Sequence, residues 1–195
     1  MEFSKDDVYT DEKTPYLRPC LCKGNSEGAR IIVAGLTPTT RITPLDAPVE
    51  AYLEALSDYY KFIRLYESVR NKARQNSASR IRARIESLVD LIEAELKTPV
   101  IETNIYTYPA KDDKELKKLR RVKKRVIARS NSLFWRVVEA SNAEIIIPLG
   151  AAAAREFELT NPGAREIKTI HMKHLCVCGD KAVRDLIERL KKSLA

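Results

Sequence analysis

Chemically useful side chains follow short apolar segments at three widely separated places in the chain. The stretch GLTPTTR at 35–41 comes directly after four apolar residues and carries three hydroxyl groups and one guanidinium. Asn104 follows a second apolar segment, and His171 follows a later one. An amide offers both a hydrogen-bond donor and an acceptor, and an imidazole can donate a hydrogen bond. These residue types predict a site for a polar ligand.

Short apolar segments predict the strands, and longer amphipathic segments between them predict the helices. We expect strands at 31–34, 99–106, 144–149 and 166–171. We expect helices at 49–69, at 81–96, at 113–140 with a bend near Ser130, from 150 onward, and at 181–194. This alternation is typical of a parallel sheet covered on both faces. We therefore predict an α/β fold: a three-layer αβα sandwich with a central four-stranded parallel sheet and a helical hairpin insertion, residues 46–97, after the first strand.

The carboxyl ends of the four predicted strands should lie at one edge of the sheet, where open α/β sheets bind their ligands. The segments that meet there are 35–41, 104–111, 149–152 and 171–175, and they hold the unusual polar residues. Alternatives stay open for each residue. Asn104 can cap a turn, His171 can be a structural histidine in the interior, and His174 can take the functional role instead.

Length and charge limit the function classes. The chain has 195 residues, which fits one α/β domain at 30–195 preceded by an extension at 1–29 that packs on it. The acidic start resembles no secretory signal and no apolar run is long enough for a membrane span, so we expect a cytoplasmic protein. The net charge of +8 favours polyanionic partners. The stretch KDDKELKKLRRVKKRVIAR is either a solvated helix face or a nucleic-acid contact, and we favour the contact.

Two Cys-x-Cys pairs occur, Cys20 with Cys22 and Cys176 with Cys178. A reducing cytosol disfavours disulfides. On a strand, residues i and i+2 share one face, where cysteine is simply a small apolar residue. We expect no cofactor. The alternative is zinc or an iron–sulfur cluster held by the four cysteines if the chain ends meet.

Four motifs in chain order, GLTPTTR, TNIYTYPAK, IIIPLGAAAA and TIHMKHLC, resemble the uracil-DNA glycosylase superfamily over most of residues 30–192. In that family a Gly-x-x-Pro loop follows the first strand, an Asn follows the second, a Gly-containing turn follows the third, and a His-Pro-Ser-Pro-Leu-Ser-like stretch follows the fourth. Here His171 and Leu175 match the last motif, whereas its Pro and Ser positions are replaced. The family's iron–sulfur branches place two cysteines before the first strand, as Cys20 and Cys22 are. Their other two lie mid-chain, which Cys176 and Cys178 do not match.

The resemblance implies a role for each matching residue. The catalytic set is His171, Thr37 and Asn104, with His171 donating to the base oxygen that gains charge and Asn104 recognising the pairing edge of a pyrimidine. The base-binding set is Gly35, Leu36, Pro38, Thr39, Tyr52 and Tyr106. The DNA-binding set is Arg41, Lys111, Lys173, His174 and Leu175, with Leu175 filling the space left by the flipped base. Many family members carry Asp or Asn at the place of Thr37 to activate water, so Glu50 and Asp46 are alternative water-holding residues.

The resulting expectation is a monofunctional DNA glycosylase, acting as a monomer on DNA. It flips out a modified pyrimidine base and hydrolyses its N-glycosidic bond, in base-excision repair or in defence against phage DNA with modified bases. The alternative is a non-catalytic nucleic-acid-binding protein on the same fold. A third possibility is an enzyme that acts on free nucleotides, but the basic helices would then have no ligand to bind.

Overall fold

The computed structural model describes residues 1–161, 163, 166–173, 175 and 179–194. In this part of the chain, five strands form one sheet: β1 (Cys20–Cys22), β2 (Ile31–Gly35), β3 (Val100–Asn104), β4 (Ile145–Pro148) and β5 (Lys168–Thr169). Their order across the sheet is β1-β3-β2-β4-β5. Strands β2 to β5 pair in parallel, and β1 runs antiparallel to β3. The fold is α/β with a mixed, mostly parallel sheet.

The prediction of a four-stranded, purely parallel sheet needs correction. Each of the four predicted segments contains a strand, but Cys20–Cys22 adds a fifth, antiparallel strand at the edge, with Leu21 opposite Glu102. The two-residue spacing of Cys20 and Cys22 is the period of a strand. A strand of three residues is too short to be predicted from apolar periodicity, so the sequence shows this segment only as a Cys-x-Cys pair.

Apolar side chains of the central strands pack on both faces of the sheet. Ile32 and Ala34 of β2 belong to one buried cluster, which includes Leu116, Phe134 and Phe157. Ile31 and Val33 face the other way into a second cluster. The helices that cover the first face are α5 (Asp113–Val122), α6 (Lys124–Ala140) and α7 (Ala151–Thr160). The second face packs against α4 (Arg80–Leu96) and α8 (Asp180–Leu194).

Three helices, rather than the expected two, separate β2 from β3: α2 (Val49–Leu56), α3 (Tyr59–Lys72) and α4. The predicted helix at 49–69 is interrupted because Asp58 caps a new helix, its side chain accepting the backbone N–H groups of Tyr60 and Lys61. A third apolar cluster joins α2 and α3 to the N-terminal segment through Val8, Tyr16 and Leu21. That segment also forms the short helix α1 (Lys5–Val8) and a 3₁₀ turn, Ser26–Gly28.

The predicted helix at 113–140 also divides into two. Lys123, with φ −125° and ψ 43°, separates α5 from α6, whereas the expected bend residue Ser130 lies inside α6. Here the sequence prediction of the break was wrong, because the Ser130 hydroxyl donates to the Ile127 carbonyl within the helix and is buried. The helices predicted from 150 and at 181–194 correspond to α7 and α8. None of the helices in the described ranges combines the length and the apolar character that a bilayer span requires.

Candidate functional site

A cavity of about 630 Å³ opens where the parallel strands end. Gly35 and Asn104 are direct neighbours in the register of β2 and β3, and Pro148 ends β4 beside Ala34. The walls come from the loop after β2, the start of α5, the first turn of α7, and residues of α3 and α4. Its volume lies within the range of small-molecule sites. The cavity is therefore the candidate ligand site of the sheet edge.

Asn104 is the most distinctive side chain in this cavity. The residue is 7% exposed, and its amide forms no hydrogen bond to another described residue. A β-carbon placed on Gly35 would lie 2.7 Å from the Asn104 Oδ1, so this arrangement needs a glycine at position 35. The Asn104 amide atoms are not among the fully enclosed polar atoms without a partner, so they open onto the cavity. A ligand in the cavity can therefore complete the hydrogen bonds of this amide.

The loop after β2 is fastened to the segment after β3. The backbone N–H groups of Ile105 and Tyr106 donate to the carbonyls of Gly35 and Leu36, at 2.8 and 3.0 Å. Leu36, Thr37 and Thr39 line the cavity. The Thr37 hydroxyl donates to the Ala110 carbonyl at 3.1 Å, so its oxygen is left to accept a hydrogen bond. Its proton is already used, and Thr37 can orient a water molecule only as an acceptor.

Pro38 belongs to the same loop but has a structural place. It is buried, and its carbonyl accepts the Ala110 N–H at 2.9 Å. It is absent from the cavity lining, unlike its neighbours on either side. The expected substrate contact of Pro38 is therefore replaced by a role in holding the loop.

The first turn of α7 adds hydrogen-bond donors. Gly150 has φ 91°, a value that favours glycine, and it supplies no side-chain cap. The backbone N–H groups of Ala151–Ala153 donate no hydrogen bond to any described residue, and all three alanines line the cavity. A helix N-terminus carries a partial positive charge. This wall of the cavity favours electron-rich or anionic ligand atoms.

Two arginines that sequence reasoning did not assign to the site reach the same cavity. Arg82 forms a buried, bidentate ion pair with Glu102 at 2.6 and 2.8 Å, and the phenolic oxygen of Tyr59 accepts a third hydrogen bond from it. Arg18 is half-buried and pairs with no carboxylate in the described part of the chain; its guanidinium lies 5.8 Å from the centre of the Phe62 ring. Burial and the neighbouring Arg82 lower the pKa of Arg18, although the group stays charged near neutral pH.

The sequence contains a pattern that predicts a partner such as Arg82. Glu102 is a lone carboxylate inside the apolar strand VIETN, which predicts a buried cationic partner. Arg18 has no comparable signal, because it lies outside any periodic segment.

Carboxylates stand at the mouth of the cavity at the start of α5. Asp112 caps the helix by accepting the Glu115 N–H, and Asp113 pairs with Lys117 at 2.8 Å. The hydrogen bond from Lys117 keeps the pKa of Asp113 below its ordinary value, so this carboxylate is ionised at neutral pH. Asp46 and Glu50, the alternative water-holding residues expected from the sequence, do not line this cavity. Asp46 holds the backbone of Thr43, and Glu50 lines a separate shallow depression.

The structure does not bring His171 into the cavity. Its ring is exposed, with Nε2 3.7 Å from Glu158 Oε1, and the residue is absent from the cavity lining. Lys173 is also exposed, and His174 lies outside the described residues. Leu175 is 3% exposed and packs among apolar residues of α4 and α8, so its expected insertion into DNA is corrected to a core role. Of the described residues 170–173 and 175, which follow β5, none lines the cavity.

Two aromatic residues expected to contact a base lie in the interior. Tyr52 is 1% exposed, stacks on Tyr16 at 4.4 Å between ring centres, and donates its hydroxyl to the Leu17 carbonyl. Tyr106 is 5% exposed and bonds Glu156 at 3.0 Å. Both positions are corrected to packing residues, since neither lines the cavity. Among the described residues, the aromatic side chain that borders the cavity is Tyr66, which comes from the same apolar stripe as Tyr52 and is itself 3% exposed.

A basic groove of about 730 Å³ adjoins the cavity and shares Thr39 and Lys111 with it. It contains five cationic residues and one carboxylate, Glu115, which pairs with Arg41 and accepts the Lys111 N–H. The cations are Arg41, Arg70, Lys111, Lys114 and Lys118. A strand of phosphates fits this excess of positive charge.

The described residues contain no group of three or more His, Cys, Asp or Glu side chains able to hold a metal ion. Cys20 is buried in the apolar core, and burial raises the pKa of its thiol to about 12. Cys22 is half-buried, and burial also raises the pKa of its thiol. Cys176 and Cys178 lie outside the described residues, so the expected alternative of a four-cysteine site concerns a part of the chain that the structure does not describe.

No family model matches this chain, and no curated protein is significantly similar to it in sequence.

Proposed function

We propose that this protein is a monofunctional DNA glycosylase of the uracil-DNA glycosylase type. It flips a modified pyrimidine base into the cavity and hydrolyses its bond to deoxyribose, in base-excision repair or in defence against phage DNA with modified bases. The proposal includes a three-layer αβα arrangement with residues 46–97 as a helical insertion. It also includes a monomer in the cytoplasm and catalysis without a cofactor. The observation that carries it is the buried, unpartnered amide of Asn104 at the end of β3.

In this proposal Asn104 recognises the base, because an amide can donate to one polar atom of the pairing edge and accept from another. Tyr66 provides the aromatic wall of the cavity. The groove beside the mouth carries the flanking phosphates on Arg41 and Lys111. The cost of unstacking the base, a few kcal/mol, is offset by these contacts.

The chemical step breaks the bond between the base nitrogen and the sugar carbon, and a water oxygen bonds to that carbon. The leaving base takes the electron pair of the broken bond. In this proposal the N–H groups of Ala151–Ala153, which line the cavity, stabilise the resulting negative charge and take the donor role expected of His171. Thr37 accepts a hydrogen bond from the water, and the ionised Asp113 takes its proton.

The test is incubation of the protein with duplex and single-stranded DNA carrying uracil, oxidised pyrimidines or sugar-modified pyrimidines. Abasic sites are detected by alkaline strand cleavage. We expect abasic sites on at least one of these DNAs, and a loss of about 10²-fold in rate for Asn104→Ala. The matched control is Asn142→Ala, an exposed asparagine before β4, at the opposite edge of the sheet. Absence of abasic sites on every DNA would overturn the proposal, as would full activity of Asn104→Ala.

The exposed position of His171 favours a second candidate, a nucleic-acid-binding protein without catalysis. It predicts DNA binding that weakens with salt and that Asn104→Ala leaves unchanged. Abasic sites formed by the wild type but not by Asn104→Ala would exclude it.

A further inference from the structure

The charges around the cavity are not balanced within the protein. Of the two arginines that line it, Arg82 has both of its terminal nitrogens bonded to Glu102. The Arg18 guanidinium lies over the Phe62 ring and forms no hydrogen bond or ion pair with a described carboxylate; Glu102, already bonded to Arg82, acts to raise the pKa of Arg18 only through space. A half-buried guanidinium normally lies against a carboxylate or phosphate, whose geometry it matches.

The carboxylates near this cavity already have partners. Both oxygens of Glu102 bond Arg82, Asp112 caps α5, and Asp113 pairs with Lys117. The free N–H groups of Ala151–Ala153 face the same space. Independently, Asn104 is 7% exposed, and its amide opens onto the same cavity without a hydrogen-bond partner among the described residues.

We propose that the cavity contains an anion subsite, in which Arg18 binds a carboxylate or phosphate of the ligand and the first turn of α7 contributes N–H donors. The charge has two possible sources: a phosphate of the nucleotide, or an acidic substituent on the pyrimidine ring. The subsite does not require glycosidic-bond cleavage, and it extends the proposed function by naming an anionic pyrimidine as the ligand class.

Calorimetric titration with two pairs of probes tests the subsite. Uridine 5′-monophosphate against uridine measures the effect of a phosphate, and orotate against uracil measures that of a ring carboxylate. We expect the wild type to bind the anionic member of at least one pair at least 10-fold more tightly. The pair that shows the preference identifies the source of the charge.

Variants of Arg18 assign the preference to that residue. Arg18→Gln should abolish it, and Arg18→Lys should retain part of it, with circular dichroism to verify folding. Asn104→Ala should weaken both members of a pair equally. Arg64→Gln, an exposed arginine of α3, is the matched control and should bind as the wild type does.

Equal affinity within both pairs, no measurable binding of either anion, or a preference that persists in Arg18→Gln would overturn the subsite. These outcomes are separate from those of the abasic-site assay. The anion preference can exist in a protein that cleaves no base, and cleavage can occur without it.

Discussion

Gly35 and Asn104 face each other across β2 and β3, and the missing side chain of Gly35 leaves the space in which the Asn104 amide lies. The Oδ1 is the end of a side chain that opens onto the cavity, so it can move without displacing the core. A change at position 35 should therefore act on the ligand site more than on the fold.

Gly35→Ala tests this relation. The added carbon would lie 2.7 Å from the Asn104 Oδ1, so the amide must rotate away from its present position. We expect a loss of at least about 10-fold in affinity for the ligand or in excision rate, because a small displacement of a positioning group is costly. The abasic-site assay measures the effect on excision, and urea denaturation measures the effect on the stability of the fold.

Gly28→Ala is the control for the substitution itself, since its added carbon would meet Pro99 at an ordinary 4.0 Å. Equal activity of Gly35→Ala and the wild type would show that the amide position does not matter.

The sequence predicted which residues lie at the sheet edge more accurately than it predicted what each of them contacts. Asn104, Gly35 and Thr37 were expected at the edge of the sheet and lie there. Tyr52 and Tyr66 occupy one apolar stripe of the sequence, and both are buried in the same cluster. Only the tertiary structure decides that Tyr66 borders the cavity and that Tyr52 stacks on Tyr16. A stripe shows that a face is apolar but not which neighbour covers each part of it.

At the scale of elements, the Arg82–Glu102 pair joins α4 to β3 beneath the cavity. Both side chains are 8% exposed. Removing one partner of a buried pair leaves the other charge uncompensated. The pair is therefore expected to stabilise the position of α4 on the sheet.

Glu102→Gln should lower the free energy of unfolding by about 3–5 kcal/mol, measured by urea denaturation at pH 7. Glu144→Gln serves as the control, because Glu144 pairs with Arg30 on the surface and its loss should cost less than about 1 kcal/mol. Similar small changes for both variants would contradict the structural importance of the buried pair.

A second pair joins α7 to α5 and makes stability depend on pH. Burial acts to raise the pKa of Glu156, but the hydrogen bonds from Arg120 and Tyr106 outweigh it and hold the pKa below its ordinary value of 4.5. A lowered pKa in the folded state stabilises the protein above the ordinary value, and this stabilisation is lost as the pH falls through the folded value.

We expect Glu156→Gln to be less stable than the wild type by about 1.5–3 kcal/mol at pH 7. The difference should shrink progressively below about pH 4.5, because the wild-type carboxyl becomes neutral there while glutamine does not titrate. Urea denaturation at pH 7, 5 and 3 measures it. A constant difference at all three values would show that charge is not its origin.

The whole molecule carries a net charge of +8, and part of that excess lies in the groove beside the cavity. The affinity for DNA falls as salt rises, and each phosphate contact contributes about −0.7 to −0.9 to the slope of log K against log salt concentration. The groove should therefore determine much of the salt dependence of DNA binding.

Replacing both Lys114 and Lys118 by Gln should reduce the magnitude of that slope by about 1.4 to 1.8, measured by fluorescence anisotropy between 50 and 200 mM salt. The control pair is Lys97 and Lys192, two exposed lysines at the amino edge of the sheet, where α8 ends beside Arg30. An equal reduction for both pairs would indicate unspecific charge attraction rather than a phosphate path.

Runs of apolar residues alone located four of the five strands and their order along the chain, because a buried strand needs apolar side chains at successive or alternate positions. The general rule for parallel sheets then placed 35–41, 104–111 and 149–152 at one edge. Only the tertiary structure decided that Arg18 reaches the cavity, that Leu175 is buried, and that His171 faces solvent. The direction of a side chain depends on elements distant in sequence that pack around it, and no local pattern contains that information.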